Sequence, residues 1–475
     1  MHGTPADSVS SEPPIDLDRP GLVRTRLIAR SRQLLERLGW PVVAFGGLQG
    51  IRLVTNIVLS QLLSPAIFGM LQIINTLRTG VELLSDVGVG QNIISNRDGA
   101  TRSFNSTAWT IQVIRGCILG TLLAACSPLL AHFYAEPILA RAVPLAAVLT
   151  LIAGFHSTGI FILQREQKLA RLSLFELSLA TVAALIQVTI SYFDRTVWSL
   201  LYGAAICMAL QVACSFVMTP SKGLRFAIDR THAHAIIHFG KWIFLSSAVY
   251  FAATNFDRLY LSKHVPWALL GVYGIARSLS EVFTILLTRL GTMVIFPIIA
   301  GSAHRGAALR QRLSSHRLPL LAAGAAGLAL FVALSDRVIF LLYDQRYHEA
   351  AAILPVLAAG VWFSILATLG ESVSLGVGRP QIGTLANAAK LAWMIGGMPL
   401  FALQFGFPGL VACIAVADLI KYLVLTLGQK RLALAFPAQD LALTAFFVAS
   451  VIGLRALFAV SGVVGEVAGL WALFR

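Results

Sequence analysis

Apolar stretches of about 20 residues recur along most of the chain, and they limit its possible folds more than any other feature. A helix rises about 1.5 Å per residue, so a stretch of this length crosses the roughly 30 Å of hydrocarbon in a bilayer. The chain is 57% hydrophobic and 12% charged, whereas soluble domains carry about 25% charge. These features predict an all-α integral membrane protein and exclude soluble globular and disordered classes.

The apolar stretches predict twelve spans, a thirteenth near 441–460 and a final run at 462–475 that is too short to cross comfortably. The twelve are 40–63, 70–95, 108–132, 143–163, 172–193, 196–218, 241–262, 268–298, 318–335, 350–378, 382–403 and 407–428.

The distribution of basic residues predicts the orientation. With the N-terminus inside, the inward segments hold 22 basic residues and the outward loops hold five. Because cytoplasmic loops are enriched in lysine and arginine, we expect a cytoplasmic N-terminus and an even number of spans up to residue 430. This bias also explains most of the net charge of +15 without nucleic acid as a partner. Residues 21–38 read as a basic amphipathic helix on the anionic leaflet or as a solvated tail.

Two similar segments indicate an internal repeat. Residues 56–69 and 257–271 both place Leu-Ser before a proline–glycine loop, and Pro65 matches Pro266. Both would enter from the cytoplasm, so the repeat predicts two parallel halves of six helices, unless the similarity arose by chance. The predicted divisions are a tail at 1–39, an N-terminal lobe at 40–220, a C-terminal lobe at 221–431 and accessory helices at 432–475.

Acidic and basic residues at helical spacing lie inside predicted spans. Arg78, Glu82 and Asp86 form one polar stripe, and Arg277 and Glu281 form a second pair. A charge at a helix centre costs about 2.5–3.5 kcal/mol on insertion scales, so these residues require an explanation. They either neutralise one another and hold helices together or serve transport.

Other basic residues in the spans have no obvious acidic partner at helical spacing, apart from Asp257 next to Arg258 and Asp418 beside Lys421. This set consists of Arg52, Arg258, Lys390 and Lys421. Unpaired basic groups in a membrane cavity indicate an anionic ligand, and a guanidinium can bind phosphate bidentately. Arg289 and Arg475 lie near helix ends, where an arginine reaches the interface without needing a function.

No arrangement of residues typical of an enzyme active site stands out. The five cysteines lie in apolar segments without Cys-x-x-Cys spacing, so no disulfide, metal site or cofactor is expected. The outward loops are mostly short and leave little room for a catalytic domain. A transporter is therefore favoured over an enzyme.

Five segments, in this order, carry a resemblance to a known family. They are LSPAIFGMLQIINTLRTGVELLSDVGVGQNIISN (63–96), ILQREQKLARLSLFEL (162–177), FGKWIFLSSAVYFAATNFDRLYLSKHVPWALLGVYGIARSLSE (239–281), FLLYDQRYHEAAAILPVLA (340–358) and SLGVGRP (374–380). They resemble Wzx-type polysaccharide and O-antigen flippases, over about residues 40–430. This polysaccharide transporter family belongs to the multidrug/oligosaccharidyl-lipid/polysaccharide (MOP) exporter superfamily. The resemblance implies two six-helix lobes in a V, with a cavity open alternately to each side; the tail at 432–475 departs from a twelve-helix member.

The resemblance also implies a function and a substrate. Such a flippase moves an undecaprenyl-diphosphate-linked oligosaccharide from the cytoplasmic to the outer leaflet of the bacterial inner membrane, for O-antigen, capsule or exopolysaccharide synthesis. On this hypothesis, a basic set of residues neutralises the diphosphate and a second set contacts the sugars. A third, acidic set pairs with the arginines or binds a coupling ion. The basic set is Arg52, Arg78, Arg258, Arg277, Lys390 and Lys421; the sugar set is Gln49, Asn56 and Asn255; the acidic set is Asp257, Glu82, Asp86 and Glu281.

Two other functions remain as alternatives. A cation-coupled multidrug exporter of the same superfamily would favour acidic cavity residues, whereas basic ones predominate here. A membrane-embedded polysaccharide polymerase or ligase would be expected to have a large outward loop. Membrane lipids are expected partners, a polymerase or other export-complex proteins are further candidates, and a scaffold role stays open.

Overall fold

The computed structural model describes residues 44–84, 88–219, 223–300 and 306–460. Within these ranges all regular secondary structure is helical, without a strand. The basic tail at 1–39, Asp86 and the final run at 462–475 lie outside the described residues.

The described ranges contain sixteen α-helices. In chain order they are α1 (44–62), α2 (Pro65–Leu83), α3 (Val89–Ser95), α4 (Arg102–Ala125), α5 (Ser127–Phe133), α6 (Leu139–Gly154), α7 (Gly159–Arg165), α8 (Leu169–Phe193), α9 (Val197–Met218), α10 (Arg230–His264), α11 (Trp267–Ala300), α12 (Ala307–Ala333), α13 (Ser335–Leu342), α14 (Ala350–Gly376), α15 (Gln381–Lys430) and α16 (Pro437–Val460).

The expected all-α membrane fold is confirmed. Of the helices in the described ranges, eight are long and apolar enough to cross a membrane, or up to nine if α6 and α7, which are bent by 55°, form one span. The predicted single span at 70–95 is wrong, because α2 ends at Leu83 and α3 begins after Gly88 with a φ of 64°, which glycine adopts readily. The predicted division near 404–406 is confirmed by a break in α15 at Gly406, with φ 62° and ψ −145°.

The helices run between two ends of the bundle, which we name by their connections. The tight-turn end carries the connections at 63–64, 134–138, 194–196, 265–266 and 343–349. The basic end carries those at 96–101, 166–168, 223–229, 377–380 and 431–436.

Apolar side chains form separate cores in the two halves of the chain. In the N-terminal half, Ile73 of α2 packs with Ala142 and Ala146 of α6. In the C-terminal half, Tyr273 of α11 belongs to a cluster with α14 and α15 residues such as Leu354. Burying these side chains supplies the main driving force for packing within each half, as in helix-packed proteins generally.

The two copies of the sequence repeat meet at the tight-turn end. A Cβ atom on Gly69 would collide with the carbonyl oxygen of Trp267, and one on Gly271 would collide with that of Pro65. The backbones of α2 and α11 therefore approach too closely for any side chain at these positions. Each glycine of the repeat packs against the backbone of the other copy, so the two matched loops make equivalent contacts.

Replacing Gly271 with alanine is expected to destabilise the protein by about 1–3 kcal/mol, because the added Cβ must push α2 and α11 apart. The measurement is the thermal unfolding midpoint of the purified protein in detergent. Gly396→Ala is the matched control, since no atom lies within 4 Å of its added Cβ; this variant is expected to gain about 0.5–1 kcal/mol. An unchanged midpoint for Gly271→Ala would contradict the close crossing.

Helix α16, predicted as accessory, is fixed to the C-terminal half near both of its ends. Towards the basic end, Arg317 of α12 forms a buried ion pair with Asp440. Towards the tight-turn end, Arg455 lies 3.4 Å from Asp336, at the start of α13. These contacts make α16 part of the packed bundle.

Candidate functional site

A large cavity lies between α1, α2, α8, α9 and α11, with a volume of about 930 Å³. Apolar side chains and a distinct polar set line it. The polar and charged members are Gln49, Arg52, Thr55, Asn56, Asn75, Arg78, Glu176, Gln187, Gln211 and Arg289. Four of the predicted site residues (Gln49, Arg52, Asn56 and Arg78) are thus brought together.

The cavity is closed towards the tight-turn end. Leu59, Leu63 and Leu200 form a buried apolar cluster there, with Phe68 packed against it. Next to this cluster, the Tyr347 hydroxyl donates a hydrogen bond of 3.0 Å to the carbonyl oxygen of Leu63.

The segment 343–349 closes over this end from the C-terminal half. Arg346 donates to the carbonyl oxygen of Gln61 at 3.3 Å and contacts Asp344 at 2.8 Å. The hydrogen bond from the Arg346 side chain lowers the pKa of Asp344, so this carboxylate stays ionised and orients Arg346. Contacts across the tight-turn end thus join α1 and the α1–α2 turn to the C-terminal half.

Replacing Tyr347 with phenylalanine is expected to loosen this closure, because it removes the hydrogen bond to Leu63 but keeps the ring packed on Phe68. A hydrogen bond of this kind contributes about 0.5–1.5 kcal/mol. In the Tyr347→Phe variant, a cysteine introduced at Asn56 should react about two- to tenfold faster than the same cysteine in the protein with Tyr347, when a thiol reagent is added from the tight-turn end. Tyr343→Phe is the control, since the Tyr343 hydroxyl makes no hydrogen bond with the residues that the structure describes; equal rates in both variants would show that Tyr347 does not hold the closure.

The basic side chains of the cavity differ in how far they are already paired. Arg52 is exposed and makes no hydrogen bond or close ion pair with another described residue. Arg289 is also exposed and lies over the Phe45 ring at 5.0 Å. Arg78 is 3.5 Å from Glu82, which confirms the predicted pair, but its buried Nε has no hydrogen-bond partner. Arg52 is therefore the cation most available to an anion.

Sequence reasoning missed two charged residues of the cavity. Arg289 was expected only to reach the interface, yet it lines the cavity from α11. Glu176 was not singled out, although it lines the same cavity from α8. Neither residue has a charged partner at helical spacing that would indicate where its side chain points. Only the packing of α8 and α11 brings the two residues to the same cavity.

Arg258 lies in a different place from the one expected. Its Nη2 contacts both carboxylate oxygens of Glu281, at 3.1 and 3.3 Å, and its Nη1 donates to Asn255 at 3.0 Å. With the Gln72 amide oriented to satisfy both of its partners, its oxygen accepts from Arg258 Nε and its nitrogen donates to the carbonyl of Leu270, each at 3.1 Å. Arg258 does not line the large cavity; with Gln72 it links α10 and α11 to α2 of the other half.

The predicted pair of Arg277 and Glu281 is confirmed at 2.8 Å, and it belongs to the same network. Arg277 also lies 3.7 Å from Asp257, which accepts a hydrogen bond from the Tyr273 hydroxyl. The structure thus gathers Asn255, Asp257, Arg258, Arg277 and Glu281 into one cluster. In this conformation the carboxylates neutralise the arginines.

Lys390 and Lys421 are also paired, but with acidic residues beyond helical spacing, and Asp418, which the sequence placed beside Lys421, pairs with Lys390 instead. Lys390 and Asp418 are 2.7 Å apart, and their exposed fractions are 4% and 2%. Lys421 contacts Glu371 at 3.1 Å, and Asn387 donates to the same carboxylate at 2.9 Å. These pairs form because α15 reverses at Gly406, which brings residues far apart in sequence side by side. Neither lysine lines the large cavity.

Glu82 lies outside the large cavity. It lines a smaller cleft of about 420 Å³ between α2, α3, α4 and the α6–α7 pair, where Thr150 donates to its carboxylate at 3.3 Å. Arg115, from the same cleft, donates to the backbone carbonyl of Glu82. The predicted stripe on α2 therefore divides between two cavities.

A sequence profile of a family described as "Polysaccharide biosynthesis protein" matches residues 58–352, which is more than half of the chain. The chain belongs to this family. Among curated polysaccharide biosynthesis proteins, it is 24% identical to the teichuronic acid biosynthesis protein TuaB of Bacillus subtilis (strain 168) over 357 residues, 72% of this chain and 71% of TuaB. It is 21% identical to the amylovoran biosynthesis protein AmsL of Erwinia amylovora, covering 77% and 90% of the two chains. It is 20% identical to the lipopolysaccharide biosynthesis protein WzxC of Escherichia coli (strain K12), covering 55% and 53%.

Solved structures confirm the fold of this polysaccharide biosynthesis protein. The lipid II flippase MurJ, in an inward closed conformation, superposes with a TM-score of 0.72 at 14% identity, covering 90% of this chain and 94% of MurJ. An inward-facing multidrug transporter of the MATE family superposes with a TM-score of 0.63 at 14% identity, covering 84% and 97%. The expected fold is therefore confirmed, since this chain shares the fold of MurJ and of MATE transporters.

Proposed function

We propose that this protein is a flippase that moves an undecaprenyl-diphosphate-linked oligosaccharide across the bacterial inner membrane for polysaccharide synthesis. The observation that carries the proposal is a cavity of about 930 Å³, closed at one end, in which Arg52 and Arg289 are exposed. A guanidinium binds phosphate oxygens through paired hydrogen bonds, which suits a diphosphate. The prenyl chain can stay in lipid, so only the polar head needs this path.

The bias of 22 inward to five outward basic residues supports a cytoplasmic basic end. With that orientation, the N-terminus is cytoplasmic and the cavity, closed at the tight-turn end, is in an inward-facing conformation. The lobes at 40–220 and 221–431 then rock about the crossing of α2 and α11. Release to the outer leaflet requires separation of Tyr347 from Leu63 and of Gln72 from Arg258.

The predicted site residues fall into three groups. In the first, Arg52 and Arg78 bind the diphosphate together with Arg289, which was not among the predicted site residues, and Gln49 and Asn56 bind sugar hydroxyls next to it. Arg258 and Arg277, with Asp257, Glu281 and Asn255, hold the lobes in the present conformation and are released in another. Contacts of Lys390, Lys421, Glu82 and Asp86 with the substrate or a coupling ion stay predictions, and a polymerase stays a candidate partner.

The names of the relatives and the charges in the cavity support this function over its alternatives. TuaB, AmsL and WzxC are named for polymer biosynthesis, and MurJ is named as a flippase of lipid II. A drug exporter for cations would need an acidic cavity, whereas three arginines and one glutamate line this one. A polymerase would need an outward catalytic loop, whereas the described segment at 343–349 packs onto α1 and its turn.

The test is reconstitution of the protein in vesicles with a fluorescent undecaprenyl-diphosphate-linked oligosaccharide, scoring both leaflet transfer and chain length. Transfer without chain growth is the expected result. Chain growth would favour the polymerase, and efflux of a cationic dye without lipid transfer would favour the drug exporter.

A further inference from the structure

The arginines that line the large cavity come from both halves of the chain. Arg52 of α1 and Arg78 of α2 belong to the N-terminal half, whereas Arg289 of α11 belongs to the C-terminal half. The Arg289 side chain is exposed and lies over the ring of Phe45, with its guanidinium carbon 5.0 Å from the ring centroid. Phe45 lies in the first turn of α1 and also lines the cavity, so this contact joins the two halves inside it.

Phe45 begins a stripe of cavity-lining residues on α1. The other members are Gln49, Arg52 and Asn56. They follow Phe45 by four, seven and eleven residues, and at about 100° per residue these spacings return to nearly the same side of a helix. Phe45 and Arg52 therefore share one face of α1, about 10 Å apart along its axis. An arginine held over Phe45 thus faces the same part of the cavity as Arg52.

The contact with the ring suits an arginine that must also bind phosphate. A cation within about 6 Å of an aromatic centroid is attracted by the negative face of the ring. This attraction uses the charge of the guanidinium and does not consume its N–H donors, which bind phosphate oxygens in pairs. Holding a long side chain in place before the ligand arrives also reduces the entropy that is lost on binding.

We propose that Phe45 is a positioning residue of the diphosphate site: its ring holds Arg289 so that arginines from both halves of the protein bind one anion. This inference rests on the proposed function and adds to it a residue that acts through Arg289 and does not itself bind the phosphate. The affinity for the diphosphate consequently depends on the electron density of the Phe45 ring as well as on its shape.

The test replaces Phe45 with phenylalanines that carry one, two or three fluorine atoms, which weaken the negative face of the ring but nearly keep its shape. The probe is a short-chain prenyl-diphosphate-linked monosaccharide, and its dissociation constant is measured by isothermal titration calorimetry of the full-length protein in detergent. The dissociation constant is expected to rise with each added fluorine, by about two- to fivefold in the trifluorinated protein. The thermal unfolding midpoint is expected to stay at the wild-type value.

Two controls separate the charge of Arg289 from packing. In an Arg289→Ala background, fluorination of Phe45 should no longer change the dissociation constant, because the cation is gone. Trifluorinated phenylalanine in place of Phe133 is the matched control, since the Lys263 ammonium lies over that ring at 3.8 Å and neither residue lines the cavity. This protein should bind the probe as the wild type does.

The possible outcomes distinguish this inference from the function on which it rests. A dissociation constant that stays the same across the Phe45 series overturns the inference and leaves the flippase proposal standing. An equal rise in the Arg289→Ala background also overturns it, because Phe45 would then act by packing alone. Absence of binding by every protein, including the wild type, contradicts the proposed function itself.

Discussion

Replacing Arg52 with alanine is expected to reduce leaflet transfer of the lipid-linked oligosaccharide by at least roughly tenfold. A hydrogen bond to a charged group contributes about 1.5–3 kcal/mol, and each 1.4 kcal/mol is about tenfold in affinity. Because the Arg52 side chain has no hydrogen-bond partner among the described residues, its loss leaves no buried group unpaired and should not unfold the protein. The measurement is the initial rate of transfer in vesicles that contain equal amounts of protein.

Two companion variants distinguish charge from geometry. Arg52→Lys keeps the charge but loses the planar fork of donors, so it should retain a part of the rate. Arg310→Ala removes an exposed arginine of α12, away from the cavity lining, and should transfer at the wild-type rate. Normal transfer by Arg52→Ala would exclude Arg52 from the diphosphate site.

Breaking the ion pair between Lys390 and Asp418 is expected to give the largest loss of stability. Both side chains are almost completely buried, so Lys390→Met leaves the Asp418 carboxylate without a partner. Removing one member of a buried pair typically costs about 3–5 kcal/mol, which should lower the thermal unfolding midpoint of the purified protein markedly. Lys390 does not line the large cavity, so the remaining folded fraction should still bind the lipid-linked diphosphate if Lys390 makes no contact with it in another conformation.

The double variant Lys390→Met/Asp418→Leu tests the cause of that loss. With both charges gone, no carboxylate is left unpaired, and the unfolding midpoint should recover most of the way to the wild-type value. A double variant as unstable as the sum of the two single variants would show that the pair does not act as a unit.

Local features of the sequence predicted the parts of the structure that depend on neighbouring residues. The apolar runs identified the membrane helices, since their length is set by the bilayer. The pairs Arg78–Glu82 and Arg277–Glu281 were predictable because residues four apart share one face of a helix. The repeat likewise marked Gly271 and its counterpart before their close contact was visible.

Contacts between distant helices were not predictable from these patterns. Arg258 was one of the six basic residues expected to contact the diphosphate, but the packing of α10 on α11 places it against Glu281. Arg289 and Glu176 share a cavity only because α8 and α11 from different halves face each other. A single sequence indicates that a charged residue lies in a membrane span. The direction in which its side chain points depends on how the neighbouring helices pack.

The most direct test of the central claim is site-specific photocrosslinking to the lipid-linked diphosphate. A benzophenone amino acid replaces either Gln187, which lines the cavity from α8, or Leu185, which is 63% exposed on the same helix and does not line the cavity. If the diphosphate head passes through the cavity, Gln187 should crosslink to it and Leu185 should not, and excess unlabelled substrate should suppress the crosslink. Crosslinking at Leu185 alone would contradict the account, because the head would then travel along the outside of the bundle.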